Sequence, residues 1–146
     1  ELYYEIAGNA PVKIVTDKTY EVLKVSEAAL VKSGTSTLEA ALINIPQVVC
    51  YKGDFFSMLI AVILIKVKFV SLVNLIAGSE IVKELLGYAL NRNNLAKELS
   101  LILEGGQKRE RMLSDYKILM EKLGPAGASR RIAGAMVEEM RAGGRK

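Results

Sequence analysis

Histidine is absent from the 146 residues, and Cys50 is the one cysteine. Without histidine, Ser-His-Asp and Cys-His nucleophile systems are excluded, as are His-ligated zinc sites. A single cysteine excludes a disulfide within the chain, which suits a reducing compartment. Cys50 lies inside an apolar run and reads as a core residue rather than a nucleophile. Neither Gly-x-Gly-x-x-Gly nor Gly-x-x-x-x-Gly-Lys-[Ser/Thr] occurs, so the stronger nucleotide fingerprints are missing. Long hydrophobic runs are missing too. The uninterrupted apolar stretch from Met58 to Ile65 has 8 residues and is followed by Lys66 and Lys68, whereas a spanning helix needs about 20. No signal peptide is visible at the start. Glu1-Leu2-Tyr3-Tyr4-Glu5 reads as the middle or end of a helix, so the chain is expected to begin partway through a larger protein.

The composition is that of a packed domain. Hydrophobic residues make up 51% and charged residues 25%, which favours a single folded core over disorder. The net charge of +4 is mild and does not argue for a nucleic-acid partner. Part of the surplus is a terminal cluster, Arg130, Arg131, Arg141, Arg145 and Lys146. A solvated end is the plainer reading of it, with acidic lipid as the alternative.

Along the chain, Glu1 to Ala7 reads as helix stopped at Gly8-Asn9. Val12-Lys13-Ile14-Val15 alternates and is rich in β-branched residues, which predicts a short strand. Asp17 or Thr19 is placed to cap a helix from Tyr20 to Ser26. Strands are expected at Ala28–Lys32 and Gln47–Tyr51, with a helix from Thr35 to Ile43 between them. A helix over Phe55–Ile65, apolar nearly all round, is expected next, either buried or offering a greasy patch to a membrane or partner. A buried strand over Lys68–Leu72 and a short helix over Glu80–Leu86, capped by Ser79, follow. Asn91 or Asn93 opens a helix through Leu95, Leu99 and Ile102. Gln107–Leu123 is amphipathic, with Met112, Tyr116, Leu119 and Leu123 at helical spacing. Ser129–Met140 is the last helix, with Ile132, Met136 and Met140 on one face. Alternation followed by helices alone predicts an α/β fold: a Rossmann-like parallel sheet of four strands flanked by helices, with further strands upstream of Glu1. Residues 1–104 would form this truncated sheet domain, and residues 105–146 a helical extension packing on it.

Parallel α/β sheets bind ligands beyond the carboxyl ends of their strands, and two polar loops fall there. The first is Ser33-Gly34-Thr35-Ser36-Thr37. A helix starting near Thr35 leaves its first N–H groups unpaired and directs a favourable dipole at an anion. Gly34 permits close approach, and the hydroxyls of Ser33, Thr35 and Ser36 add donors. Glu39 lies one turn on, at i+4 from Thr35, where a carboxylate can accept from the two hydroxyls of a ribose. A capped turn with a solvated glutamate accounts for the same residues. The second loop is Ser71-Leu72-Val73-Asn74, in which Asn74 offers donor and acceptor or merely stabilises its own turn.

The strings SGTSTLEAAL, PQVVCYK and KVKFVSLVNLIAGSEIVKELL, in that order, resemble the lipid-A-disaccharide synthase family. The resemblance is to its C-terminal half, in a Bacteroides-like form, from about Ala10 through the last helix. It implies an inverting GT-B glycosyltransferase: two Rossmann-like domains with the active site between them. The substrates implied are UDP-2,3-diacylglucosamine and 2,3-diacylglucosamine 1-phosphate (lipid X), joined through a β-1′,6 linkage in lipid A biosynthesis. The resemblance further implies no metal or other cofactor, and a cytoplasmic, peripheral protein on the inner face of the inner membrane. Carried over residue by residue, Ser33, Gly34, Thr35 and Ser36 would line the diphosphate, Glu39 the ribose or nucleotide, and Asn74 the same cleft. Glu84 matches a further motif acid and would join them as a substrate- or UDP-binding residue. Val73 stands where many members have proline, and Gly87 where many have glutamine, which leaves any contact from that glutamine unfilled. The family's N-terminal domain, with the acceptor site and general base, would lie outside the chain. No catalytic residue is therefore assigned within it, and the chain alone is expected to be inactive. Other UDP-sugar GT-B enzymes remain in competition, namely the peptidoglycan N-acetylglucosaminyltransferase and the UDP-N-acetylglucosamine 2-epimerase. So does a non-catalytic domain that binds membrane or protein.

Overall fold

A computed structural model of the chain describes residues 2–52, 68–125 and 127–143. Within them lie α1 (Leu2–Ala7), α2 (Thr19–Lys24), β1 (Ala29–Lys32), α3 (Ser36–Leu42), β2 (Gln47–Tyr51), α4 (Leu72–Ala77) and β3 (Lys83–Leu86). A single 3-10 turn over Gly87–Ala89 leads to α5 (Arg92–Ser100), α6 (Arg109–Leu123) and α7 (Ala128–Gly143). The strands form one parallel sheet in the order β1-β2-β3. The α/β class, with a helix-flanked parallel sheet and C-terminal helices, is the one the sequence predicts.

β2 is the central strand because its residues suit burial on both sides. Successive side chains of a strand point to opposite faces, yet Val48 and Val49 are both 0% exposed. Both faces of the sheet are therefore covered at this point. α3 packs on β1 and β2, α4 and α6 pack against α3 and each other, and α5 lies on β2 and β3. The core gathers Val48, Val49, Val73, Val82 and Leu85 with Ile102, Met112, Tyr116 and Leu119. The helical spacing of Met112, Tyr116 and Leu119 thus brings one face of α6 into the core. The Gln47 side chain, fully buried, donates from Nε2 to Thr37 O at 2.8 Å and to the Tyr116 hydroxyl at 3.2 Å. It ties β2, α3 and α6 together. α7 instead carries Ile132, Met136 and Met140 as exposed residues.

Several local expectations are corrected. Val12–Val15 forms no strand: no neighbouring strand supplies it with a ladder among the described residues, and Val12 and Val15 are exposed. The helix expected over Glu80–Leu86 is replaced by β3. Its Lys-Glu-Leu-Leu run has helix-forming residues, but it pairs with β2 in the register Val48↔Lys83 to Tyr51↔Leu86, and pairing overrides intrinsic propensity. Lys68–Leu72 is not a strand either, because the N–H groups of Val70 and Ser71 donate to the Glu84 carboxylate, each at 2.9 Å. The sheet among the described residues therefore has three strands rather than four. Neither Asp17 nor Thr19 caps α2. Lys18 holds the N-cap position without a side-chain bond, and Asp17 turns through a left-handed φ of 57°. At α5 the cap is Asn91, whose side chain accepts from Asn94 N–H at 3.0 Å. The helix expected over Phe55–Ile65 lies outside the described residues.

Candidate functional site

The carboxyl edge of the sheet is built from the ends of all three strands. The parallel ladder runs one residue past β1, with Ser33 N–H donating to Cys50 O at 3.1 Å. The chain then leaves the sheet through Gly34 and enters α3 at Thr35, which already has helical dihedrals (φ −60°, ψ −30°). Gly34, Thr35 and Ser36 are exposed. Among the described residues their three N–H groups have no hydrogen-bond acceptor. The first acceptors of the helix are used instead. Gly34 O takes the Thr37 hydroxyl at 2.8 Å, and Thr35 O takes the N–H groups of Leu38 and Glu39. The result is a run of three N–H groups without acceptors, on exposed residues of which two carry hydroxyls. Glu39 is half-buried one turn along, and its carboxylate is uncommitted among the described residues.

The second polar segment is organised differently. Ser71 is the N-cap of α4, its Oγ accepting from Asn74 N–H at 3.3 Å, as a Ser-x-x cap should. Asn74 is completely buried, and every hydrogen-bonding site of its side chain is used. Nδ2 donates to Val82 O at 2.8 Å and to Glu84 Oε1 at 2.9 Å, while Oδ1 accepts from the N–H groups of Ile81 and Val82 at 2.9 and 3.0 Å. Glu84, on β3, accepts additionally from Val70 N–H, Ser71 N–H and Ser71 Oγ. Asn74 and Glu84 are thus brought together with each other and with the cap of α4. Ser33 connects the two segments, its Oγ donating to Val70 O at 3.2 Å.

Of the residues singled out in the sequence, Gly34, Thr35 and Ser36 face solvent, Ser33 and Glu39 are half-exposed, and Asn74 is enclosed. The sequence reading missed Ser71, the hub between Asn74 and Glu84. Its signal was available in the Ser71-Leu72-Val73-Asn74 spacing, which is that of an N-cap and its third helical residue. The link from Glu84 to Asn74 had no such signal. Cys50 lies in β2, and burial pushes its thiol above the ordinary cysteine value, consistent with a packing role.

Comparison with known proteins gives this edge its context. Residues 5–135 match the family model described as lipid-A-disaccharide synthetase. The chain is 39% identical over 137 residues to the lipid-A-disaccharide synthase of Solibacter usitatus, covering 93% of this chain and 36% of that protein. It is 41% identical over 141 residues to that of Anaeromyxobacter dehalogenans (strain 2CP-C), covering 97% and 37% respectively. The Rickettsia prowazekii enzyme is 39% identical over 110 residues, 75% of this chain and 29% of that protein. The chain therefore spans about a third of the length of the relatives it matches. On the strength of a family match that takes in both polar segments and the whole sheet, this chain belongs to the lipid-A-disaccharide synthetase family.

Proposed function

We propose that residues Ser33 to Glu39 form the donor-nucleotide cradle of a lipid-A-disaccharide synthase, holding the UDP of UDP-2,3-diacylglucosamine. One observation carries the reading: three unpartnered N–H groups at Gly34, Thr35 and Ser36 lie at the carboxyl edge of a parallel sheet in a member of this family. Amide donors aimed at a diphosphate form charge-assisted hydrogen bonds, and the exposed hydroxyls of Thr35 and Ser36 add to the same run. Glu39 accepts from the ribose hydroxyls, one turn away from the phosphates it would otherwise repel.

The whole enzyme would then transfer 2,3-diacylglucosamine to 2,3-diacylglucosamine 1-phosphate with inversion. The acceptor hydroxyl attacks the anomeric carbon, its bond forms as the bond to UDP breaks, and a base outside this chain takes the hydroxyl proton. Within the chain, the amides at 34–36 stabilise the negative charge that develops on departing UDP. The acceptor site and base belong to a partner domain of the same enzyme, so this chain alone binds nucleotide without turning it over. Among the described residues no helix is long and apolar enough to cross a membrane. Peripheral contact with the inner face of the inner membrane would bring the enzyme to its acylated substrates.

Titrating UDP into the isotopically labelled chain tests the reading. Selective shifts at Gly34, Thr35, Ser36 and Glu39 are expected, and Glu39→Ala should weaken them. Saturating UDP that leaves all these resonances in place would refute the cradle.

A further inference from the structure

The Val70–Ser71 peptide group joins the two polar segments. Its carbonyl accepts from Ser33 Oγ at 3.2 Å, and its N–H donates to Glu84 Oε1 at 2.9 Å. A peptide group is planar and stiff, so this unit transmits position rather than absorbing it. Glu84 holds it firmly. The same carboxylate accepts from Val70 N–H at 2.9 Å, Ser71 Oγ at 2.7 Å and Asn74 Nδ2 at 2.9 Å. Asn74 is in turn fixed to Ile81 and Val82 beside β3. A continuous hydrogen-bonded chain therefore runs from β3 through Glu84 and the 70–71 peptide to Ser33, the first residue of the exposed loop.

We infer that Glu84 is a positioning residue for the anion-binding loop, setting Ser33 and the amides that follow it through the Val70–Ser71 peptide without touching the nucleotide. The inference rests on the cradle reading of Ser33–Glu39. Two features separate this role from direct binding. Most of the acceptor capacity of the Glu84 carboxylate is already taken by four protein donors, and a carboxylate set against a diphosphate would repel it. The inference goes further than a packing role, because a residue that only stabilised α4 would leave the geometry of Ser33 to Ser36 untouched. Ser71 belongs to the same device, since its hydroxyl donates to Glu84 and accepts from Asn74 N–H.

The test uses two readouts on the whole chain. Glu84→Gln puts an NH2 group where one carboxylate oxygen accepts, so at least one donor at Val70 or Ser71 loses its partner. In the ligand-free variant the amide resonances of Gly34, Thr35 and Ser36 should move. UDP affinity should fall about tenfold, in line with the loss of hydrogen bonds to a charged group. Adding Ser33→Ala to Glu84→Gln should then cost little more, because both changes break one relay and coupled sites are non-additive. If Glu84→Gln does not fold, Ser71→Ala gives the same pattern with a smaller change. A folded variant with unmoved loop amides and wild-type UDP affinity would overturn the inference, as would fully additive losses. If the unaltered chain gives no response to UDP, the cradle reading fails, and the ligand-free loop shifts still decide whether Glu84 positions the loop.

Discussion

Replacing Asn74 by alanine would remove an amide that four protein groups rely on. Its Oδ1 serves the N–H groups of Ile81 and Val82, and its Nδ2 serves Val82 O and Glu84. The site is fully enclosed, so water does not readily replace what is lost. Each buried group left without a partner costs about 1–3 kcal/mol. Allowing for some relaxation, the sum is about 3–5 kcal/mol, at the severe end for a point substitution. A domain of this size holds about 5–15 kcal/mol in total, so the thermal midpoint should fall by about 10–20 °C. Circular dichroism melts and urea titrations would measure it. Asn74→Asp makes a sharper comparison. It keeps the shape and the acceptor at Oδ1, but places a carboxylate oxygen against Val82 O and the Glu84 carboxylate. At neutral pH it should be at least as damaging as alanine, and part of the loss should be recovered in mild acid, where a protonated carboxyl can donate again. A wild-type midpoint for Asn74→Ala, with only nucleotide affinity reduced, would refute the reasoning. It would mean that the side chain serves a ligand rather than the backbone around it.

Two further outcomes follow from the core and from a helix end. Burial pushes the Tyr116 phenol well above its ordinary value, with the hydrogen bond from Gln47 opposing the shift. A group whose folded value is raised contributes stability that is complete below its unfolded value, about 10 for tyrosine. That contribution is lost as pH rises towards the folded value, by at most about 1.4 kcal/mol per pH unit. Urea unfolding between pH 8 and 11 should show this slope, and Tyr116→Phe should flatten it; an unchanged slope would exclude Tyr116 as its source. Gly78 ends α4 with a φ of 76°, its N–H on Asn74 O at 2.9 Å, and no heavy atom within 4 Å of an added Cβ. Gly78→Ala should therefore cost only the left-handed backbone penalty, about 1–2 kcal/mol, and a loss well above that in urea unfolding would show that the site is crowded.

Local sequence pattern reached some elements and not others, for identifiable reasons. Gln47–Tyr51 was legible because its β-branched run is bounded by Pro46 and matches burial on both faces. The face of α6 was legible because Met112, Tyr116 and Leu119 repeat at the helical period. Lys83–Leu86 was misread because local propensity favoured helix, while the decisive term was pairing with β2. Val12–Val15 failed the other way: its pattern suits a strand, but a strand exists only where a neighbour offers a ladder. At the candidate site, Ser33 to Glu39 could be singled out because a glycine, hydroxyls and a carboxylate at that spacing are visible in the chain itself. The work of Asn74 and Glu84 could not, since their partners include backbone groups that folding alone assembles.

The sequence by itself determined the α/β class, the exposed hydroxyl-rich turn after β1, and the family, because each depends on residue type and order along the chain. The tertiary structure decided that Asn74 and Glu84 are turned towards the protein and that Ser71 stands between them. It also decided that the Val70–Ser71 peptide links β3 to the first loop. The reason is physical. A hydrogen bond between Ser33 and Val70, or between Asn74 and Glu84, depends on distance in space. That distance is set by the register of three parallel strands, which no single segment encodes.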